Sequence, residues 1–307
     1  MVREFGGVRI GDPKGGAMSL ATEQRVLAGR YQLTGKLGAG GAAEVHRGWD
    51  VLLRRFVAVK VFRGGEVDER RFDNEVRTLA GLSHPGLLSV YDVGTCGEVS
   101  FVVMQLVEGT TLRDRLVDGT LTPVRVRALG HQVADTLDHV HDQAIVHRDL
   151  KPSNVLLDDS DTAYLADFGL ARSLGSTRLT NTNEVVGTAA YLAPEQVRGE
   201  DVGPPADVYA LGLVLLECLT GYREYQGNRV DAAVARLHRP PEVPRDVPAG
   251  LARLLTLMTS LSARRRPTAA QVADRLRPAP AALPRDRLLC GGRTPFTPSR
   301  GTAPARR

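Results

Sequence analysis

The sequence predicts an α+β protein of two segregated lobes, a small β-rich one followed by a larger helical one. Three observations predict it. Between 31 and 62, runs of β-branched and aromatic residues are separated by a Gly cluster and end in Phe56-Val57-Ala58-Val59-Lys60-Val61-Phe62, which is strand composition. After Gly109 the apolar spacing lengthens to a helical period over 121–141, 208–219, 230–237 and 251–261. Strands come first and helices after, with no internal repeat, so the two kinds of structure segregate rather than alternate.

Taken in order, residues 1–30 are Gly-rich and aperiodic and read as a flexible arm, with Met18 as an alternative start. The first lobe covers 31–107. Within it Phe72, Val76, Leu79 and Leu82 stand at helical spacing, and two further strands fall near 87–93 and 99–107. The second lobe covers 108–276. From 277 to 307 Pro, Ala, Arg, Thr and Gly dominate; such a stretch cannot bury enough apolar surface to fold and reads as a disordered tail.

Composition narrows the function classes. The formal net charge is +5 over 307 residues, a modest excess that includes the Ala-Arg-Arg end, and it does not point to a nucleic-acid binder. Cys96, Cys218 and Cys290 are too far apart for a metal site and odd in number for a disulfide framework, so a reducing, cytoplasmic setting is expected. The N-terminus lacks an apolar core of signal-peptide length, and the longest apolar run, 208–219, is too short to span a bilayer. No membrane segment is therefore expected in this chain.

The chemistry gathers at a few places. Gly38, Gly40 and Gly41 lie between two strand-like segments, where glycines let backbone N–H groups approach phosphate oxygens. A strand on both sides argues against a dinucleotide fingerprint, and a plain turn is the competing reading. Lys60 sits inside an apolar strand, either facing water or paired with phosphate and an acid on the next helix; Glu75 could be that acid or an ordinary solvated glutamate. The run Ile-Val-His-Arg-Asp-Leu-Lys-Pro-Ser-Asn puts Asp149, Lys151 and Asn154 in one short loop. A carboxylate there can accept a hydroxyl proton, a lysine can neutralise a moving phosphate, and an amide oxygen suits Mg2+. Asp167, followed by Phe168 and Gly169, adds a second hard oxygen ligand. Surface-turn readings are available for each residue singly but explain the set poorly.

These motifs resemble, in order and over about 31–276, those of the eukaryotic-like (Hanks-type) serine/threonine protein kinases of bacteria. The matching segments are the Gly-rich loop, Val-Ala-Val-Lys, the helix glutamate, the Asp149 loop, Asp-Phe-Gly, Gly-Thr-Ala-Ala-Tyr-Leu-Ala-Pro-Glu-Gln, Asp-Val-Tyr-Ala-Leu-Gly and Arg-Arg-Arg-Pro-Thr-Ala. The resemblance implies the two-lobed protein-kinase fold, with an N-lobe at 31–107 and a C-lobe at 108–276. It implies ATP with Mg2+, or Mn2+ in its place, as cofactors. Asp149 and Lys151 take the catalytic roles, and Asn154 and Asp167 hold the metal. Leu37, Gly38, Ala39, Gly40 and Gly41 cover the phosphates; Lys60, supported by Glu75, binds them. Val45, Ala58 and Leu156 enclose the adenine, with Met104 behind it and Gln105 to Val107 as the hinge. Ala43 replaces the loop's third glycine, and Gln105 stands where an acid is common. Ser-Ala-Arg-Arg-Arg-Pro-Thr replaces the usual Asp-Pro approach to a late arginine, here Arg266, which would pair with Glu195.

Lys151 and Thr188 imply Ser/Thr rather than Tyr specificity. Arg148, beside Asp149, calls for a compensating anion, and phosphorylation of Thr180 or Thr182 would supply one. The implied partners are ATP, protein substrates bearing Ser or Thr, and the chain itself by autophosphorylation. A homodimer through the N-lobe is within the family's habits. A binding module without catalysis and a small-molecule phosphotransferase are the competing classes; the complete residue set disfavours the first and the long segment between Asp167 and Glu195 the second.

Overall fold

A computed structural model describes residues 26–40, 43–62, 80–97, 99–167, 190–226 and 229–278. The described residues begin at Val26, within the 1–30 stretch expected to be an arm. Strand β1 (Val26–Leu27) pairs with β2 (Tyr31–Ala39), burying Leu27. Arg30 explains the attachment. Its guanidinium forks onto Asp50, with Nε donating to Oδ1 at 2.9 Å and Nη2 to Oδ2 at 2.7 Å. Its third nitrogen, Nη1, donates to Asp92 at 3.1 Å. A fork matched to a buried carboxylate is the strong form of this contact.

Strands β3 (Ala43–Asp50), β4 (Arg55–Phe62), β5 (Val90–Cys96) and β6 (Val99–Met104) complete an antiparallel six-stranded sheet in the order β1-β2-β3-β4-β6-β5. Side chains alternate across it. Val57, Val59, Val61, Phe101, Val103, Tyr31 and Leu27 build a core on one face. On the other face, Ala58 lies opposite Met104 and Lys60 opposite Val45. Strand β4 is thus buried on both faces, which is why it reads as a continuous apolar run with one lysine in it.

The helical lobe begins with β7 (Gly109–Thr111) and α1 (Leu112–Val117). Helix α2 (Pro123–Asp142) starts where Thr122 caps the Arg125 amide and Pro123 takes the first position. Strands β8 (Val155–Asp158) and β9 (Ala163–Leu165) join β7 in a small antiparallel sheet. Then come α3 (Pro194–Arg198), α4 (Pro204–Thr220), α5 (Arg229–His238), α6 (Ala249–Met258) and α7 (Ala269–Leu276). Helix α4 is apolar nearly all round and forms the lobe's centre, ending at Gly221 with φ 78°. Gly212 brings α4 close to α6: a Cβ there would stand 2.7 Å from Thr259 Cγ2. Helix α7 packs along α2, with the Ala270 amide donating to Asp138 at 3.1 Å and Arg127 donating to the Arg275 carbonyl at 2.8 Å.

The helix expected around 66–82 falls almost wholly outside the described residues, as do 1–25 and the tail beyond 278. Among the described residues no helix is long and apolar enough to cross a membrane. Cys218 is buried, and burial pushes its thiol well above the ordinary range, while Cys96 is exposed.

Candidate active site

The loop between α2 and β8 is organised by a buried acid. Asp207, 1% exposed at the start of α4, accepts the His147 amide at Oδ2 (2.8 Å) and the Arg148 amide at Oδ1 (2.8 Å). Its Oδ2 also lies 2.9 Å from His141 Nε2. These contacts fix Arg148 in the left-handed region at φ 64°, a conformation a non-glycine residue adopts only when its surroundings impose it. The His147 ring continues the network. Its Nδ1 lies 3.3 Å from the Asp149 amide and its Nε2 3.0 Å from the Ala166 carbonyl. An acceptor at Nδ1 requires the proton on Nε2, so the network assigns the Nε2–H tautomer, which donates to Ala166.

Asp149 therefore leaves a rigid turn, and its carboxylate meets two groups. Lys151 Nζ lies 2.8 Å from Oδ2, and Asn154 Nδ2 donates to the Asp149 carbonyl at 2.8 Å and to Oδ2 at 3.3 Å. Asn154 is buried at the end of a single 3-10 turn, Pro152–Asn154, and its carbonyl accepts the Ala166 amide at 2.9 Å. With Nδ2 engaged on Asp149, its Oδ1 is the atom suited to a metal. Asp167 follows Ala166 with φ 59°. Asn154 and Asp167 are thus tied together through Ala166.

Lys60 reaches this site from the sheet lobe, placing Nζ 2.5 Å from Asp167 Oδ1. Burial alone would raise the Asp167 carboxyl; the Lys60 ammonium, seconded by Lys151, holds it below the usual carboxylate range. Lys60 is only 7% exposed. Its expected partner Glu75 lies outside the described residues, and Asp167 is the carboxylate it meets here. Among the described residues no group of three or more His, Cys, Asp or Glu side chains could hold a metal unaided. Two hard oxygens, from Asn154 and Asp167, instead fit a divalent metal whose remaining ligands come from phosphate and water.

Above the site, Val45, Ala58 and Met104 share the Lys60 face of the sheet by register. Leu156 stands on β8, half-buried. Leu37, Gly38, Ala39 and Gly40 end β2 or follow it, and Gly40 and Ala43 exchange backbone hydrogen bonds of 2.8 and 3.2 Å; Gly41 lies outside the described residues. The Gln105 amide donates to the Ser89 carbonyl at 2.8 Å, and its side-chain oxygen meets the Ser89 amide at 3.5 Å. Thr180, Thr182 and Thr188 lie outside the described residues.

Downstream, the backbone at 190–196 borders the same loop. Gln196 donates to the Arg148 carbonyl at 3.1 Å and accepts the Ala193 amide at 2.8 Å. Arg266 forks onto buried Glu195 with bonds of 2.6 and 2.9 Å, the pairing expected from sequence. Tyr191 donates to Glu217, whose carboxyl burial pushes upward while this hydroxyl works against the rise. Asp207 opens the Asp-Val-Tyr-Ala-Leu-Gly segment matched in the sequence, yet sequence reading gave it no role, although an acid at the head of an apolar helix was a usable signal. It also passed over Arg236, whose guanidinium donates to the Leu192 carbonyl at 2.5 Å and the Ala190 carbonyl at 3.2 Å.

A family model described as a protein kinase domain matches residues 31–275. The chain is 38% identical over 223 residues to the serine/threonine-protein kinase PrkC of Bacillus subtilis, covering 71% of this chain and 34% of that protein. It is 40% identical over 228 residues to PknL of Mycobacterium tuberculosis, covering 73% and 57%. Against PknB of Mycolicibacterium smegmatis the identity is 39% over 234 residues, covering 73% and 37%. The chain therefore spans less than two thirds of the length of these relatives.

Proposed function

The chain belongs to the protein kinase family, and from that premise we propose that it is a serine/threonine protein kinase of bacterial signalling, able to phosphorylate other proteins and itself. One observation carries the reading: Asp149, Lys151 and Asn154 form a single hydrogen-bonded cluster, bound through Ala166 to the Asp167 that meets Lys60.

In this reading the acceptor hydroxyl attacks the γ-phosphorus of ATP. The Asp149 carboxylate orients the hydroxyl and takes its proton, the bond from γ-phosphorus to the bridging oxygen breaks, and ADP leaves. Lys151 neutralises charge on the moving phosphoryl group, and Lys60 engages the α- and β-phosphates beside Glu75. Val45, Ala58, Leu156 and Met104 line the adenine site, with the Gln105 carbonyl and Val107 amide for its polar edge. Leu37, Gly38, Ala39, Gly40 and Gly41 close over the phosphates. Asn154 and Asp167 would hold Mg2+, or Mn2+ in its place, which supplies charge neutralisation on the phosphates when bound.

Lys151 and Thr188 favour Ser and Thr acceptors. A phosphate on Thr180 or Thr182 would engage Arg148 and organise the intervening segment. A cytoplasmic setting and pairing of two copies through the sheet lobe belong to the same reading; the contiguous exposed apolar residues Val51, Leu52 and Leu53 favour the pairing.

Intact-mass measurement after incubation with ATP and Mg2+ tests the reading, with wild type beside Asp149→Asn. Added phosphate is expected on wild type alone, with peptide mapping locating it at Thr180 or Thr182. Nucleotide binding without transfer in either protein would replace the kinase by a binding module.

A further inference from the structure

Gln196 stands in the first turn of α3, and its side-chain amide makes two bonds of opposite sense. Its oxygen accepts the Ala193 amide at 2.8 Å. Its nitrogen donates to the Arg148 carbonyl at 3.1 Å, 48 residues away in sequence. An N–H needs an acceptor and a carbonyl needs a donor, so the two partners together fix which way the amide faces. The first bond is half of a capping box: it satisfies a backbone N–H at the helix start, and glutamate serves there as well as glutamine. The second bond has no part in capping, and an ionised carboxylate cannot make it.

The Arg148 carbonyl belongs to the peptide that joins Arg148 to Asp149. The N–H of that same peptide, on Asp149, lies 3.3 Å from His147 Nδ1. Both polar groups of one peptide plane are therefore held by side chains, one from within the loop and one from α3. The preceding peptide is held too, because the Arg148 amide donates to Asp207 at 2.8 Å. Arg148 sits between the two planes at φ 64°. A non-glycine residue keeps such an angle only while its surroundings over-determine it. Asp207 restrains the plane before Arg148. Gln196, with His147, restrains the plane after it, and that is the plane from which Asp149 departs.

We propose that Gln196 is a positioning residue for Asp149: by holding the Arg148 carbonyl it fixes the peptide that carries the reacting carboxylate. The inference rests on the protein-kinase reading and deepens it. The role of Gln196 runs through Arg148 rather than through contact with either substrate. A general base whose backbone drifts from its place loses rate in the chemical step, while the groups that bind ATP and acceptor stay where they were.

The test uses the full chain as enzyme and its Asp149→Asn form as protein acceptor, with kcat, the KM for each substrate and the melting midpoint measured for every variant. Gln196→Glu keeps the acceptor for Ala193 and removes the donor to Arg148. Its kcat is expected to fall about tenfold, with both KM values within about twofold of wild type and the midpoint unchanged. Gln196→Leu removes both bonds without adding charge. Its kcat should fall by a similar factor and its midpoint should fall as well, so all rates are taken below that midpoint. A Gln196→Glu kcat equal to wild type overturns the proposal. So does a loss that appears in either KM instead of kcat, or one confined to the glutamate variant, which traces to charge rather than to the missing donor. A glutamate variant that fails to fold, or that loses rate only in proportion to its folded fraction, marks the amide as structural and overturns the proposal too. Absence of transfer by wild type defeats the kinase reading itself, a separate result visible before any variant is compared.

Discussion

Arg148 and Asp167 both carry backbone angles in the left-handed region, φ 64° and 59°, on either side of Asp149 in the chain. Each such residue costs about 1–3 kcal/mol that the surroundings must offset. For Arg148 the offset is visible, because one buried carboxylate takes two consecutive amides. Replacing Asp207 by Asn keeps the size but turns one acceptor into a donor that faces an N–H. Asp207→Asn is expected to lower the unfolding free energy by about 3 kcal/mol. Initial phosphorylation rates should fall further than the loss of folded protein explains, because Asp149 inherits its direction from the two residues before it. Denaturant unfolding beside rate measurement checks this; unchanged stability would mean the two amides are satisfied another way. At this scale the sequence was unevenly informative. Asp149, Lys151, Asn154 and Asp167 could be found because scarce polar types crowd between apolar residues at a spacing only chemistry explains. Arg236 could not. In an amphipathic helix rich in Ala and Val, an arginine reads as solvent-facing, and only the approach of residues 190–192 reveals which carbonyls it meets.

Between elements, the junction of α3 with α4 and the turn before α7 depends on the Arg266–Glu195 pair. Arg266 also donates to the carbonyls of Pro205 (2.9 Å) and Ser260 (2.9 Å), so one side chain connects three segments. Breaking a buried pair from one side strands a charge, whereas replacing both partners with apolar groups removes the stranded charge as well. Arg266→Leu should therefore destabilise by about 3–5 kcal/mol, and adding Glu195→Leu should recover part of that loss. Melting midpoints of the two single variants and the double variant test it; additive losses would show that the two side chains act independently. Element boundaries could be read from sequence to within a few residues wherever a cap or a proline marks them, as with Thr122-Pro123 before α2. Val26–Leu27 escaped notice because two residues are too few for any periodicity, and what recruits them is the distant pair Asp50 and Asp92.

Across the whole molecule the two lobes are assembled on different plans. Neighbours along most of the sheet are neighbours in sequence: β1 to β4 form a continuous meander and β5 pairs with β6. The helical lobe is closed by contacts of long reach, since the Ala270 amide meets Asp138 and Arg127 meets the Arg275 carbonyl, 132 and 148 residues apart. Local contacts form quickly and distant ones slowly. On a ribosome, where the chain emerges from its N-terminus at about 5–20 residues per second, the sheet can assemble early, but the part of α2 that faces α7 stays uncovered until α7 arrives. A release-stalled chain ending before Ala269 should therefore be captured by holdase chaperones, while one extended past Leu276 should escape them. Equal capture of both would show that α7 is dispensable for closure. The last helix thus sets the interval during which the nascent protein is vulnerable to aggregation and proteolysis.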